Sequence, residues 1–218
     1  MARLMALVAA TYGCVALVHR SPWYHQRLYQ KLLTAPLVTK EGSARALAHL
    51  GGEGLLLEAL RKPESSIRKA AEDALDAHWF AAAGLEPARK LLTAEIAMND
   101  NRYDEALAIL DRLVTQYPDY AEALNRRASL LFRMGRVGAS LRDCEQVLRL
   151  NPNHYGALHG LGLCNLQLGN SDAARKCLER YQRLQPFDST IEQWLHRCDE
   201  LQQSDLISKP RPPIEPLI

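Results

Sequence analysis

Prolines stand at positions 118, 152 and 186, each 34 residues from the next. That interval is the length of one helical hairpin, and a ring that cannot continue a helix is a natural terminator for each copy. Aligned on the prolines, the copies AEALNRRASLLFRMGRVGASLRDCEQVLRLNP and YGALHGLGLCNLQLGNSDAARKCLERYQRLQP fall in register. Their first helices carry Leu124, Ala128 and Leu131 in one copy against Leu158, Gly162 and Asn165 in the other. A small residue at Ala128 or Gly162 lets the two helices of a hairpin approach closely, and Gly135 and Gly169 fall where the turn between them needs positive φ. The second helices place Ser140, Cys144 and Val147 against Ala174, Leu178 and Tyr181, spaced to line one face. A third copy ends at Pro118, with Asn101 at its turn and Tyr103, Ala106, Leu110 and Leu113 along its second helix; its start is degenerate.

On Tyr103, Ala106, Leu124, Ala128, Gly135, Leu158, Gly162, Gly169, Ala174 and the three prolines, the chain resembles the tetratricopeptide repeat family over residues 87 to 186. The resemblance implies an all-α, right-handed helical-hairpin solenoid of three repeats, 87–118, 121–152 and 155–186. It also implies a concave groove, lined by the first helix of each hairpin, that holds a peptide or another protein. Composition agrees with the fold: aromatics are 6% of 218 residues, and no β-branched alternating run appears. The net charge of +2 gives no global attraction to nucleic acid or to an anionic membrane, so no nucleic-acid partner is expected.

The flanks differ in grammar. Leu4 to Val18 is an uncharged apolar run, shorter than the ~20 residues of a spanning helix. With Trp23 and Tyr24 behind it, it reads as a signal peptide or membrane anchor over 1–20, with lipidation at Cys14 a variant; the alternative is an ordinary packed helix in a cytoplasmic protein. Residues 21–42 read as a linker helix ending near Pro36. In 43–80 two Arg-x-x-Ala motifs, at Arg45 and Arg68, are expected to begin helices, with Gly51 and Gly52 between them and Ser65 or Ser66 as a cap. This stretch resembles short HEAT-like repeats of the phycobilin-lyase type, which implies a cap on the N-terminal end of the solenoid. Residues 187–203 read as a C-terminal capping helix with a capping box at Ser189 and Glu192 and an apolar face of Ile191, Trp194, Leu195, Cys198 and Leu201. The proline-rich tail 204–218 is expected to be extended and disordered, as a linker or a peptide ligand.

Candidate contacts follow from the repeat register. In the family's geometry Asn125, Arg126, Ser129 and Arg133 lie on or near the concave side, and a guanidinium at 126 or 133 pairs with a partner carboxylate or phosphate, or else with the chain's own acids. Arg127 replaces an apolar residue of the hairpin, so burial there calls for a carboxylate such as Asp143. Gly156, Gly160 and Gly162 strip side chains from one helix, either because a neighbouring helix packs close or because a ligand backbone approaches, with His154, Tyr155 and His159 around the mouth. His159 and Leu163 complete the candidate contacts. The family's clamp for chaperone C-termini wants lysine, asparagine and arginine where this chain has Leu91, Glu95, Arg126, Gly156 and Gly160, so chaperone-tail binding is disfavoured.

No phosphate loop, GxSxG elbow or HExxH occurs, and neither a metal site nor a cofactor is expected. His154 and His159 are five residues apart, a poor spacing for one helical face, and the five cysteines form no CxxC pair; they read as small apolar core residues, or as a disulfide in an exported protein. The expectation is a non-catalytic interaction scaffold with a protein or peptide partner. The competing readings are a membrane-anchored structural or assembly subunit, touching the membrane through residues 4–18, and an accessory to chromophore attachment suggested by the HEAT-like stretch.

Overall fold

The computed structural model describes residues 21–208. The expectations for 1–20 and for the tail from 209 onward lie outside the described residues, as does Cys14; residues 204–208, expected to open the extended tail, instead continue the last helix, Ile191–Ser208. Within them the chain is all helical, with eleven helices and no strand. It divides into two compact units between Ala88 and Arg89.

The first unit contains α1 (Pro22–Thr34), α2 (Leu37–His49), α3 (Glu53–Ala59) and α4 (Ser65–Ala81). Ser21 caps α1 by accepting the Tyr24 N–H, and proline at the first helical position supplies the preset φ. The segment read as a linker helix is therefore one whole helix plus the start of the next. Leu28, Tyr29 and Leu32 of α1 are buried, so it packs as a member of the unit. The Tyr29 hydroxyl donates to Glu58 at 2.7 Å, tying α1 to α3. The helices expected to start at Arg45 and Arg68 begin earlier, at Leu37 and Ser65, with α3 inserted between them. Glu64 rather than a serine occupies the cap position of α4 and receives Lys40 and Ser66 on one carboxylate oxygen. Ala44, Leu47, Leu56, Ala71 and Leu75 fill the core.

After α5 (Leu85–Asn99), which crosses the boundary, the second unit runs through α6 (Tyr103–Gln116), α7 (Ala121–Arg133), α8 (Val137–Leu150), α9 (Tyr155–Gln167), α10 (Ser171–Leu184) and α11 (Ile191–Ser208). The 34-residue period is visible in single hydrogen bonds. Asn101, Gly135 and Gly169 have φ of 59°, 74° and 79°. The next N–H in each case reaches back five residues, Arg102 to Ala97, Arg136 to Leu131 and Asn170 to Asn165, all at 2.8 Å. This is the left-handed helix end that glycine adopts without steric cost and asparagine tolerates. Between hairpins, the Tyr120 N–H donates to the Tyr117 carbonyl and the His154 N–H to the Asn151 carbonyl, at 3.0 and 3.1 Å. Pro118 and Pro152 then stand at the second position of the turn, which their fixed φ favours.

Packing repeats with the same period. Ala106, Ser140 and Ala174 are buried one hairpin apart, and so are Leu110, Cys144 and Leu178. A Cβ on Gly162 would come within 2.6 Å of Leu178, so glycine there is a condition of the close approach between α9 and α10. One on Gly160 would stand 3.1 Å from the Cys144 sulfur, which sets the approach between α9 and α8. Close helix packing thus accounts for both glycines. At the far end Ile191, Trp194, Leu195 and Cys198 of α11 pack on Ala174 and Leu178 as the expected cap. That helix begins at Ile191, and in the turn before it Asp188 accepts the Thr190 N–H at 2.9 Å.

Candidate functional site

Arg127 shows how this unit handles charge. Its guanidinium meets Asp143 twice, at 2.7 and 2.8 Å, and Asp111 once at 2.9 Å, bridging α7 to the second helix of its own hairpin and to that of the hairpin before. This is the structural pair that the sequence called for. Arg126 is also engaged internally: its Nε lies 2.8 Å from carboxylate oxygens of both Glu95 and Glu122, a contact of charges rather than an aligned hydrogen bond. Burial raises the Glu95 carboxyl above its ordinary range, against the opposing pull of Arg126. Glu122 in turn accepts from His154 at 2.9 Å. His154 Nδ1 accepts the Ala157 N–H as the cap of α9, so Nε2 carries the proton shared with Glu122. His154 is 2% exposed, which removes it from the mouth where the sequence placed it; Tyr155 is buried too.

Two clefts lie along the first helices. One, of about 310 Å³, is lined by Glu95, Met98, Asn99, Arg126, Ser129 and Arg133. The second, of about 220 Å³, opens between α7 and α9 and is floored by α8. Five of the six candidate contacts, Asn125, Ser129, Arg133, His159 and Leu163, meet there, while Arg126 lies in the first cleft. Phe132 and the floor residues Ser140 and Cys144 were not anticipated, although Phe132 is Met98 moved by 34 residues and the register could have named it. Successive clefts are equivalent in that register. Glu95 becomes Ser129, Arg126 becomes Gly160, and the ion pair that occupies the first cleft is absent from the second.

The polar groups of the second cleft are poorly satisfied. Asn125 is 8% exposed as a residue and its side-chain amide has no protein hydrogen-bond partner among the described residues, so its pairing capacity is left to solvent or a ligand in the cleft; the Ser129 hydroxyl donates to the Asn125 main-chain carbonyl, at 3.1 Å. His159 Nε2 is likewise buried and unpartnered, with its ring 5.2 Å from that of Tyr181. Burial lowers the His159 pKa, with Asp188 opposing, so the ring enters the cleft neutral. Arg133 is exposed and has no ion pair among the described residues. The floor is chemically quiet: its hydrogen bond with Cys164 and its burial push the Cys144 thiol up. Cys144, Cys164 and Cys198 are buried and unbridged, as core residues should be. Among the described residues no cluster could hold a metal ion, and no helix is long and apolar enough to cross a membrane.

Comparison with known proteins agrees with this architecture. The chain is 37% identical over 107 residues to a TPR repeat-containing protein of Rhizobium etli, covering 49% of this chain and 52% of that one. It is 35% identical over 154 residues to the cellulose synthase 2 operon protein C of Komagataeibacter xylinus, 63% of this chain but 11% of that one. The chain thus spans about half the length of the first relative and a small part of the second. Among solved structures, the first TPR of Spaghetti bound to an HSP90 peptide superposes with a TM-score of 0.53 at 20% identity, covering 54% of this chain and 94% of that one. The Sgt2 TPR domain from Aspergillus fumigatus gives 0.52 at 15% identity, covering 61% and 91%. Identities this low establish a common fold and nothing finer. The tetratricopeptide repeat profile matches residues 52–121, 91–144 and 125–189, the first of these running over most of residues 43–80, for which a HEAT-like repeat was expected. Matched over more than half its length, the chain belongs to the tetratricopeptide repeat family.

Proposed function

We propose that this chain is a non-catalytic interaction scaffold that holds a peptide or protein segment against the first helices of its hairpins, with the cleft between α7 and α9 as the principal contact. The observation that carries this reading is Asn125, which lines the cleft and whose side-chain amide has no protein hydrogen-bond partner among the described residues. A donor and acceptor on one side chain suit a peptide main chain, which offers both. The structural relative bound to an HSP90 peptide supports a peptide as ligand class, but not that peptide: the positions of the chaperone clamp hold Leu91, Glu95, Arg126, Gly156 and Gly160, and Arg126 is already paired.

A photo-crosslinking residue placed at Ser129, which is exposed and borders both clefts, tests the proposal in native cells against the same residue at Arg142 on α8. A crosslinked protein recovered from position 129 and not from 142 is the expected result. Crosslinks from 142 alone would move the working surface elsewhere. Export or anchoring through residues 4–18 is a separate part of the proposal; fractionation of native cells with intact mass of the recovered chain decides it, and a full-length soluble cytosolic product would reject it.

A further inference from the structure

The two clefts differ in one respect that fixes the chemistry of a ligand. In the first, the Arg126 charge is met by Glu95 and Glu122. In the second, the residue equivalent to Glu95 is Ser129, no aspartate or glutamate lines the wall, and Arg133, which borders both clefts, has no ion pair among the described residues. His159 adds no positive charge, because burial keeps it neutral. The second cleft is therefore a hairpin-to-hairpin junction that lacks the internal ion pair of the first and has Arg133 where the first has Asn99. Two turns earlier on the same helix is the Asn125 amide, with no protein hydrogen-bond partner among the described residues, and the equivalent of Arg126 is Gly160, which leaves the wall low.

Resting on the groove reading above, we propose that the second cleft selects an extended acidic peptide, whose main-chain amide pairs with Asn125 and whose aspartate or glutamate side chain reaches Arg133. The spacing follows from geometry. Asn125 and Arg133 are eight residues apart on one helix, about 12 Å along its axis. An extended peptide advances about 3.3 Å per residue and the arginine side chain shortens the gap, so the acidic residue stands about two to four positions from the amide held by Asn125. The specificity resides at Arg133 and not at Arg126, whose charge the chain itself satisfies.

The test begins with a displayed library of random twelve-residue peptides selected against the full chain. An enriched peptide is then synthesised with aspartate or glutamate, the matching amide, or phosphoserine at its acidic position, and each form is titrated by fluorescence anisotropy. The expected result is enrichment of one acidic position and binding of the carboxylate form about five- to tenfold tighter than the amide form. Arg133→Gln should erase that ratio while the amide form binds as before, and since Arg133 is exposed the variant keeps the fold. Asn125→Ala should weaken every form about tenfold or more. Peptides that depend on Asn125 but show no preference for acid overturn the inference and leave the groove reading standing. Peptides insensitive to both substitutions overturn both. A phosphoserine form that binds more tightly than the carboxylate through Arg133 replaces the proposed partner with a phosphopeptide.

Discussion

Asp143→Ala is the sharpest test of how the second unit is held together. Arg127 and Asp143 share two short hydrogen bonds, and their side chains are 20% and 9% exposed. Removing one partner of a fully buried pair costs about 3–5 kcal/mol, because the remaining charge is left without compensation. Here Arg127 keeps Asp111 at 2.9 Å, itself 55% exposed, together with some contact with water. The loss should therefore lie below that range, at about 2–3 kcal/mol. With a urea slope of about 2 kcal/mol per molar, the midpoint should fall by about 1 M. The assay is urea unfolding of the full chain followed by far-ultraviolet circular dichroism. Fluorescence of Trp194, the one tryptophan of the second unit, is followed in a Trp23→Phe, Trp79→Phe background, because a chain of two units need not unfold in one step. The double substitution Arg127→Leu, Asp143→Leu removes both charges and should return the midpoint to within about 0.5 M of the parent. A single variant that shifts the midpoint by less than about 0.3 M, or a double variant no better than the single, would refute the reasoning.

Other perturbations follow from the same geometry. Gly162→Ala places a methyl 2.6 Å from Leu178 and should lower stability by about 1–2 kcal/mol despite the better helix propensity of alanine, whereas Gly138→Ala on α8 meets only the end of Arg142 at 3.9 Å and should raise it by up to about 1 kcal/mol; thermal melts read both signs. Gly135→Ala has open space around it but a φ of 74°, so it should cost about 1 kcal/mol through the backbone alone, and Asn101→Gly at the equivalent turn should be neutral or stabilising. Burial lowers the His159 pKa below its unfolded value, so the folded chain resists the proton that the unfolded chain accepts. Stability should then fall as pH drops from about 7.5 to about 5.5, and His159→Gln should flatten that slope in urea midpoints measured across the range.

The repeats were legible because their determinants are local and recur. A proline that fixes φ, a glycine or asparagine in the left-handed region and a small residue at the crossing each act within one hairpin, and three copies in phase leave a single register. The Arg127 pair was legible for a related reason, since a charge in an apolar position must find its opposite within reach. The groove was legible as a set of positions but not as a set of states. That Arg126 is satisfied by Glu95 while Arg133 is not depends on which side chains meet across hairpins, and sequence distance does not encode that contact. His154 misled for the same reason: a histidine before a glycine-rich helix looks available until Glu122, 32 residues away, is brought 2.9 Å from its ring. The first unit was the least legible, because no period tied Arg45 to Arg68. Motif matching placed helix starts at the arginines, whereas proline at 36 and the Glu64 cap placed them where the backbone changes direction. The same logic bears on the proposed binding. A repeat protein is built from equivalent positions, so on the proposed reading its selectivity follows from where equivalence is broken, and one such break is the replacement of Glu95 and Arg126 by Ser129 and Gly160 one hairpin later.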